Sequence, residues 1–284
     1  MKKFLLCVTL LLLLHNVQAK EQRIVTLSSA ITETVYGLGL GDAVVATDVT
    51  SVSPKAAAAL PRVSKNRALS AEGIMAYRPT LVLAPEGDIP AAVLKHLRES
   101  HIEVVVLKQE FSERGAYQFI QQIADAVGVP AMGKSVVNRT KVTMREISAI
   151  IAKETAGKKK PKVLFIYARG TGTMSVAGKG SSLDAVIEMA GGKNAIQEFA
   201  DFKPYTTESL VKANPDVILL FDFGVSSLGG KEAILKMPGV KLTTAGKEKR
   251  IISMNASLLV NFSTRLPESI LALHQELTAV TKNQ

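Results

Sequence analysis

Side chains able to do chemistry are sparse in this 284-residue chain, and their spacing narrows what that chemistry can be. Of four histidines, His15 sits in the apolar leader and His96 in a helical stretch beside Lys95 and Arg98. His101 follows in a turn and His274 falls in the last helical stretch, so these three read as surface or helix-end residues. With one cysteine, Cys7, and no clustered histidines, neither a zinc, copper or manganese site nor a disulfide framework is expected. Five tyrosines remain. Tyr36, Tyr77 and Tyr117 lie in helical patterns and read as packing residues. Tyr167 instead closes the apolar run Val163-Leu164-Phe165-Ile166, and Arg169-Gly170-Thr171-Gly172 follows Ala168. A phenol and a guanidinium two residues apart at the carboxyl end of a strand stand where open parallel sheets bind ligands. Tyr205, on the approach to Glu208, is the second choice.

Several look-alikes fall away. Gly178-Lys179-Gly180-Ser181 lacks the phosphate-loop frame, because Thr173 takes the first glycine position and Gly180 the Ser/Thr position. Gly37-Leu38-Gly39-Leu40-Gly41 closes a helix instead of opening one, which makes it a cap and turn. Ser28-Ser29 and Ser226-Ser227 have no nucleophile-elbow context, and no acid–base pair stands at a telling spacing.

The elements that must position these residues alternate between short β-rich runs and helical stretches. Strands are expected at Arg23–Ser28, Ala43–Asp48, Thr80–Pro85 and Glu103–Lys108, then at Lys162–Ala168, Val217–Asp222 and Arg250–Asn255. Helical patterns occupy Ala30–Leu40, Ser70–Arg78, Ile89–Ser100 and Arg114–Gly128, then Ser181–Ala190, Thr207–Asn214, Lys231–Lys236 and Leu266–Val280. Strand–helix alternation implies parallel pairing and an α/β fold. A repeat sharpens this. Ser70, Glu72, Pro79 and the run Thr80–Leu83 recur as Thr206, Glu208, Pro215 and Asp216–Leu219. Each unit is a hydroxyl cap, an acidic first turn, a short helix, a proline stop and a buried strand. Between the halves, Val137, Met144, Ile147 and Ile151 recur at helical spacing, and Gly157 with Lys158-Lys159-Lys160-Pro161 ends the run. The reading is two Rossmann-like lobes with mainly parallel sheets, residues 20–130 and 158–284, joined by one long helix over 131–157. The lysine run reads as a solvated helix end, where cations suit the dipole.

Composition sets outer limits. Hydrophobic residues at 47% and charged residues at 21% can bury a core, so disorder is excluded. Residues 1–19 combine Lys2 and Lys3, the apolar run Phe4–Leu14 and Val17-Gln18-Ala19 at a cleavage position. This is a secretory signal pattern, too short to span a bilayer. Cleavage after Ala19 would remove Cys7 and lower the net charge from +10 to +8, leaving a soluble periplasmic product.

Taken together, the exported two-lobed chain, the paired glutamate units and the linking helix resemble the iron-siderophore/cobalamin class of periplasmic substrate-binding proteins. Leu69-Ser70-Ala71-Glu72-Gly73-Ile74, Val176-Ala177-Gly178-Lys179, Ala190-Gly191-Gly192-Lys193-Asn194 and Arg265-Leu266-Pro267 are similar to its hemin-binding branch. In that branch the segment before Leu-Ser-Ala-Glu often carries a tyrosine or histidine that ligates heme iron. Here that segment is Val63-Ser64-Lys65-Asn66-Arg67, with Lys65 near the ligand position. Lysine must shed its proton to coordinate a metal, which disfavours iron ligation from this lobe. The resemblance leaves tyrosine as the ligand type, with Tyr167 at the iron and Tyr205 as substitute. It also implies cations for the propionates, drawn from Arg169, Lys65, Arg67 and Arg265, and apolar contacts from Phe111 and Phe262. Glu72 and Glu208 match the acidic residues that such proteins present, one per lobe, to arginines of a membrane permease.

The expectation is therefore a monomeric, non-enzymatic periplasmic protein that hands heme to an ABC importer, with a modest hinge motion about the linking helix. Heme is a transported ligand here and not a catalytic cofactor. A ferric-siderophore or cobalamin binder of the same class is the alternative. An exported enzyme would need a catalytic constellation, and none is found. A nucleic-acid binder is disfavoured by scattered charge and aromatics of only 5%.

Overall fold

A computed structural model describes residues 22–65, 68–170, 174–204 and 206–282. Residues 1–21, and with them the leader, lie outside the described residues, as do Arg67 and Tyr205.

Two sheets organise the chain. The first contains β1 (Ile24–Thr26), β2 (Val44–Thr47), β3 (Leu81–Pro85) and β4 (Glu103–Leu107), in the order β2-β1-β3-β4 with every pair parallel. The second contains β5 (Lys162–Ala168), β6 (Met174–Ala177), β7 (Lys193–Asn194), β8 (Phe202–Pro204), β9 (Val217–Phe221) and β10 (Ile251–Met254). Its order is β10-β9-β5-β6-β8, with β7 also on β5. Here β10, β9, β5 and β7 run parallel, while β6 and β8 are antiparallel additions. The α/β class with two mainly parallel sheets is as expected, but β6, β7 and β8 are not among the expected strands. β6 pairs antiparallel with β5, and β8 with β6, and at two to four residues these strands are too short to carry a strand-length apolar pattern.

The repeated units fold alike. Ser70 Oγ accepts from the Gly73 N–H at 3.0 Å and opens helix Ala71–Met75. Thr206 Oγ1 accepts from the Ser209 N–H at 3.0 Å and opens helix Thr207–Ala213. Each cap satisfies one of the otherwise unpaired first-turn N–H groups. The strands that follow, β3 and β9, are buried at every position. Such strands are the continuous apolar runs of a sheet covered on both faces.

The helix Pro130–Thr155 belongs to both cores. Val136 and Val137 pack with Phe119, Ile120 and Ile123 against the first sheet. Met144, Ile147 and Ile151 pack with Phe165, Ile270 and Leu273 against the second. One apolar stripe at helical spacing thus serves two lobes in succession.

The last helix, Leu266–Thr281, corrects one expectation. His274 is buried at 4% exposure and is not a surface residue. It shares a helical stripe with Ile270, Leu273 and Leu277, which carries it inward. Its Nδ1 lies 2.9 Å from the Ala190 carbonyl oxygen and its Nε2 3.1 Å from Glu154 Oε2, so it ties the last helix to the bridging one.

Candidate functional site

The carboxyl ends of β5 and β9 meet at Tyr167, Arg169 and Phe223. β5 is flanked by β9 and β6, which fixes the direction of its last residues. Ala168 is buried, whereas Tyr167 is half-buried and Arg169 exposed, so the chain turns outward at this point. The Arg169 Nε–H donates to the Tyr167 hydroxyl oxygen at 2.7 Å. The guanidinium carbon lies 5.1 Å from the centre of the Phe223 ring, within cation–π range. Tyr167 meets Phe223 edge-on at 5.8 Å and Phe221 at 6.3 Å, and Phe221 in turn packs on the buried Phe165 at 4.7 Å. An aromatic column therefore runs from the second core to the surface and ends in a phenol oxygen held by a cation.

The helix Asp222–Ser227 supports this group. The Gly170 N–H donates to Ser227 Oγ at 3.0 Å, which fixes the loop leaving β5. Gly224 lies against the Ala168 backbone. The carboxyl ends of the first sheet carry exposed apolar side chains, Val52 after β2 and Phe111 after β4. These strand ends are the ligand-binding edges of open parallel sheets.

A second junction, built of very different contacts, joins the lobes. Glu33, in helix Ser29–Gly37 of the first lobe, is 6% exposed. Its Oε2 accepts from Arg265 Nη1 at 3.3 Å and from Asn261 Nδ2 at 3.1 Å. Arg265 also grips Glu268 through two 2.7 Å hydrogen bonds, the bidentate geometry suited to a guanidinium. The Thr34 and Ser263 hydroxyls bond beside it, and Phe111 meets Phe262 edge-on at 5.2 Å. Loss of water on burial pushes the Glu33 carboxyl above the usual carboxylate range, more than Arg265 draws it down. Glu268 is held below that range by its hydrogen bonds from Arg265, and Arg265 is raised chiefly by the same bonds.

These contacts sort the expected site residues. Tyr167 and Arg169 are brought together. Phe262 is completely buried, so the expectation that it contacts a ligand is corrected. It is the inner half of an edge-on pair whose exposed half is Phe111, at 42%. Arg265 is likewise corrected, because Glu33 and Glu268 occupy its guanidinium and leave no free cation for a propionate. Lys65, Glu72 and Glu208 are exposed, the two glutamates each in the first turn of their helix. Sequence reasoning missed Phe223, although an aromatic two residues beyond a strand end is a readable signal. It also missed Glu33, an acid in the interior of a helix with no other charge. Two hollows of about 420 and 400 Å³ lie elsewhere, beside Tyr117 and Lys141 and beside His274 and Lys158.

Comparison with known proteins bears on this arrangement. A family model described as periplasmic binding protein matches residues 24–258. A periplasmic heme-binding protein from Roseiflexus sp. RS-1, solved in its apo form, superposes with a TM-score of 0.87 at 32% identity, covering 92% of this chain and 99% of that one. A vitamin B12-binding protein from Vibrio vulnificus (strain YJ016) is 25% identical over 270 residues, 93% of each chain. An ABC transporter substrate-binding lipoprotein from Bacillus subtilis (strain 168) is 27% identical over 266 residues, 92% of this chain and 82% of that one.

Proposed function

Because this chain belongs to the periplasmic binding protein family, we propose that it captures heme outside the cytoplasm and delivers it to an ABC importer. The observation that carries the reading is the Tyr167 hydroxyl, half-buried at a strand end and bonded to Arg169 at 2.7 Å. A phenol oxygen is a ligand for ferric heme iron. A guanidinium at hydrogen-bond distance balances the charge that oxygen carries when it faces the metal. Phe111 offers ring surface to the porphyrin, and Lys65 and Arg67 offer cations to its propionates. Lys65 serves as a charge for a propionate and not as an iron ligand. The superposition on a heme-binding protein at 32% identity supports this choice of cargo.

Delivery rests on the two exposed glutamates. Glu72 and Glu208 stand in equivalent repeated units, one per lobe, and suit a permease that presents arginines to both. Residues 1–19 direct export and are removed after Ala19.

Hemin titration of the mature chain, followed by absorption, tests the reading. A saturable Soret band that shifts in Tyr167→Phe is the expected result. Cobalamin is the second reading, favoured by the vitamin B12-binding relative that matches 93% of the chain. Tight cobalamin binding with no Soret change on adding hemin would establish it and overturn the first.

A further inference from the structure

We propose that Phe223 is a positioning residue that holds Arg169 on the Tyr167 hydroxyl, an inference that rests on the reading of Tyr167 as the heme ligand. Arg169 is exposed, and among the described residues no carboxylate forms an ion pair with it. A long side chain in that setting samples many rotamers and holds a single hydrogen bond poorly. Here two groups confine it. The phenol oxygen takes its Nε–H at 2.7 Å, and the Phe223 ring takes its charged carbon at 5.1 Å.

The ring is itself fixed. It tilts against Phe221 at 5.4 Å and meets Tyr167 at 5.8 Å, at the start of helix Asp222–Ser227. Asp222, the preceding residue, accepts a hydrogen bond from Ser253 Oγ on β10, and Ser227 at the far end of the helix accepts from Gly170 N–H. The helix is thus pinned to β10 on one side and to the loop after β5 on the other. Phe223 stands beside both the phenol and the guanidinium, on a helix with both ends anchored. Its role is electrostatic: the negative face of an aromatic ring attracts a cation, and an aliphatic side chain of similar bulk does not.

The test compares hemin dissociation from the mature wild-type chain with that from Phe223→Leu, Phe223→Trp, Arg169→Ala and the double variant Arg169→Ala/Phe223→Leu. Phe223→Leu is expected to speed hemin loss about three- to fivefold, the range of an exposed cation–π contact. Phe223→Trp restores a rate near wild type, since indole is the better cation acceptor. In the Arg169→Ala background, Phe223→Leu adds nothing, because the ring acts through the arginine. An equal factor in both backgrounds would mean that the ring simply touches porphyrin, and it would overturn the proposal, as would an unchanged rate in Phe223→Leu. A measurement without hemin separates this question from the identity of the cargo. In the apo protein the ¹⁵N-resolved Nε–H signal of Arg169 is expected to be ring-shifted and slow to exchange, and to lose both features in Phe223→Leu. If that signal is the same in both proteins, Phe223 does not position Arg169. If wild type takes up no hemin while the signal behaves as expected, the heme reading fails and the positioning stands.

Discussion

Arg265 and Arg169 occupy opposite extremes of what an arginine does in this molecule. Arg265 sits at a lobe junction, gripped by a buried glutamate from the other lobe and by a bidentate neighbour. Arg169 is exposed and has a phenol and a ring for company. Both lie beyond strands of the second sheet, so residue type and approximate place do not separate them. Charge balance does. Where a guanidinium already faces carboxylates, its charge is spent inside the protein; where it faces only a neutral phenol, its charge remains available to a ligand.

Breaking the junction should have the largest effect. Arg265→Ala leaves Glu33 buried without its cation, and is expected to lower stability by about 3 kcal/mol in denaturant unfolding at neutral pH. The penalty should depend on pH with a definite sign. A carboxyl whose folded pKa is raised keeps its proton longer when folded, so stability falls as pH climbs from the ordinary value of 4.5 through the raised one. Removing Arg265 widens that interval, so the loss is full at neutral pH and shrinks on acidification through the Glu33 pKa. Glu268 works in the opposite sense, contributing stability above 4.5 that disappears as pH falls through its lowered pKa. A penalty independent of pH would show that Glu33 does not depend on Arg265.

Tyr167→Phe should leave unfolding nearly unaltered and weaken hemin binding about 100-fold, the upper range for disturbing a metal ligand's surroundings. Equal hemin affinity and spectrum would move ligation to Tyr205. Arg169→Ala should cost about tenfold in affinity and shift the Soret band without abolishing it. The smallest effect on the isolated protein belongs to Glu72→Ala/Glu208→Ala. Hemin affinity is expected within about twofold of wild type and the melting temperature within a few degrees, because exposed helix-end charges contribute little. Uptake through the cognate permease should nevertheless collapse, and normal transport at limiting hemin would remove the docking role.

The contrast between the two arginines also marks where sequence reading stops. The repeated cap–helix–proline–strand units were legible because each signal is local: a hydroxyl, an acid, a proline and an apolar run within fifteen residues. The bridging helix was legible from periodicity alone, and Tyr167 from its place at the end of an apolar strand. Arg265 was misread because its partner Glu33 lies 232 residues away, and no local pattern connects them. Phe262 failed for a related reason, since no local pattern shows that it packs into the second core and meets Phe111. His274 was placed correctly in a helix but on the wrong face, a matter of one position in the stripe.

The path of the backbone has a consequence for the order of assembly. The first sheet uses only residues 24–107, and the chain leaves that lobe once, along Pro130–Thr155. A chain made from its N-terminus can complete this sheet before the second lobe exists. Met144, Ile147 and Ile151 must then wait, uncovered, for strands and helices made later. Asn261, Ser263 and Arg265 come near the end and are the residues that close onto Glu33 and Thr34. The partners of the Glu33 carboxylate are thus made 228 and 232 residues after it, near the end of the chain. The junction that joins the lobes is thus a late clasp, so truncation before Asn261 should leave the first lobe's sheet able to form but deprive it of that closure.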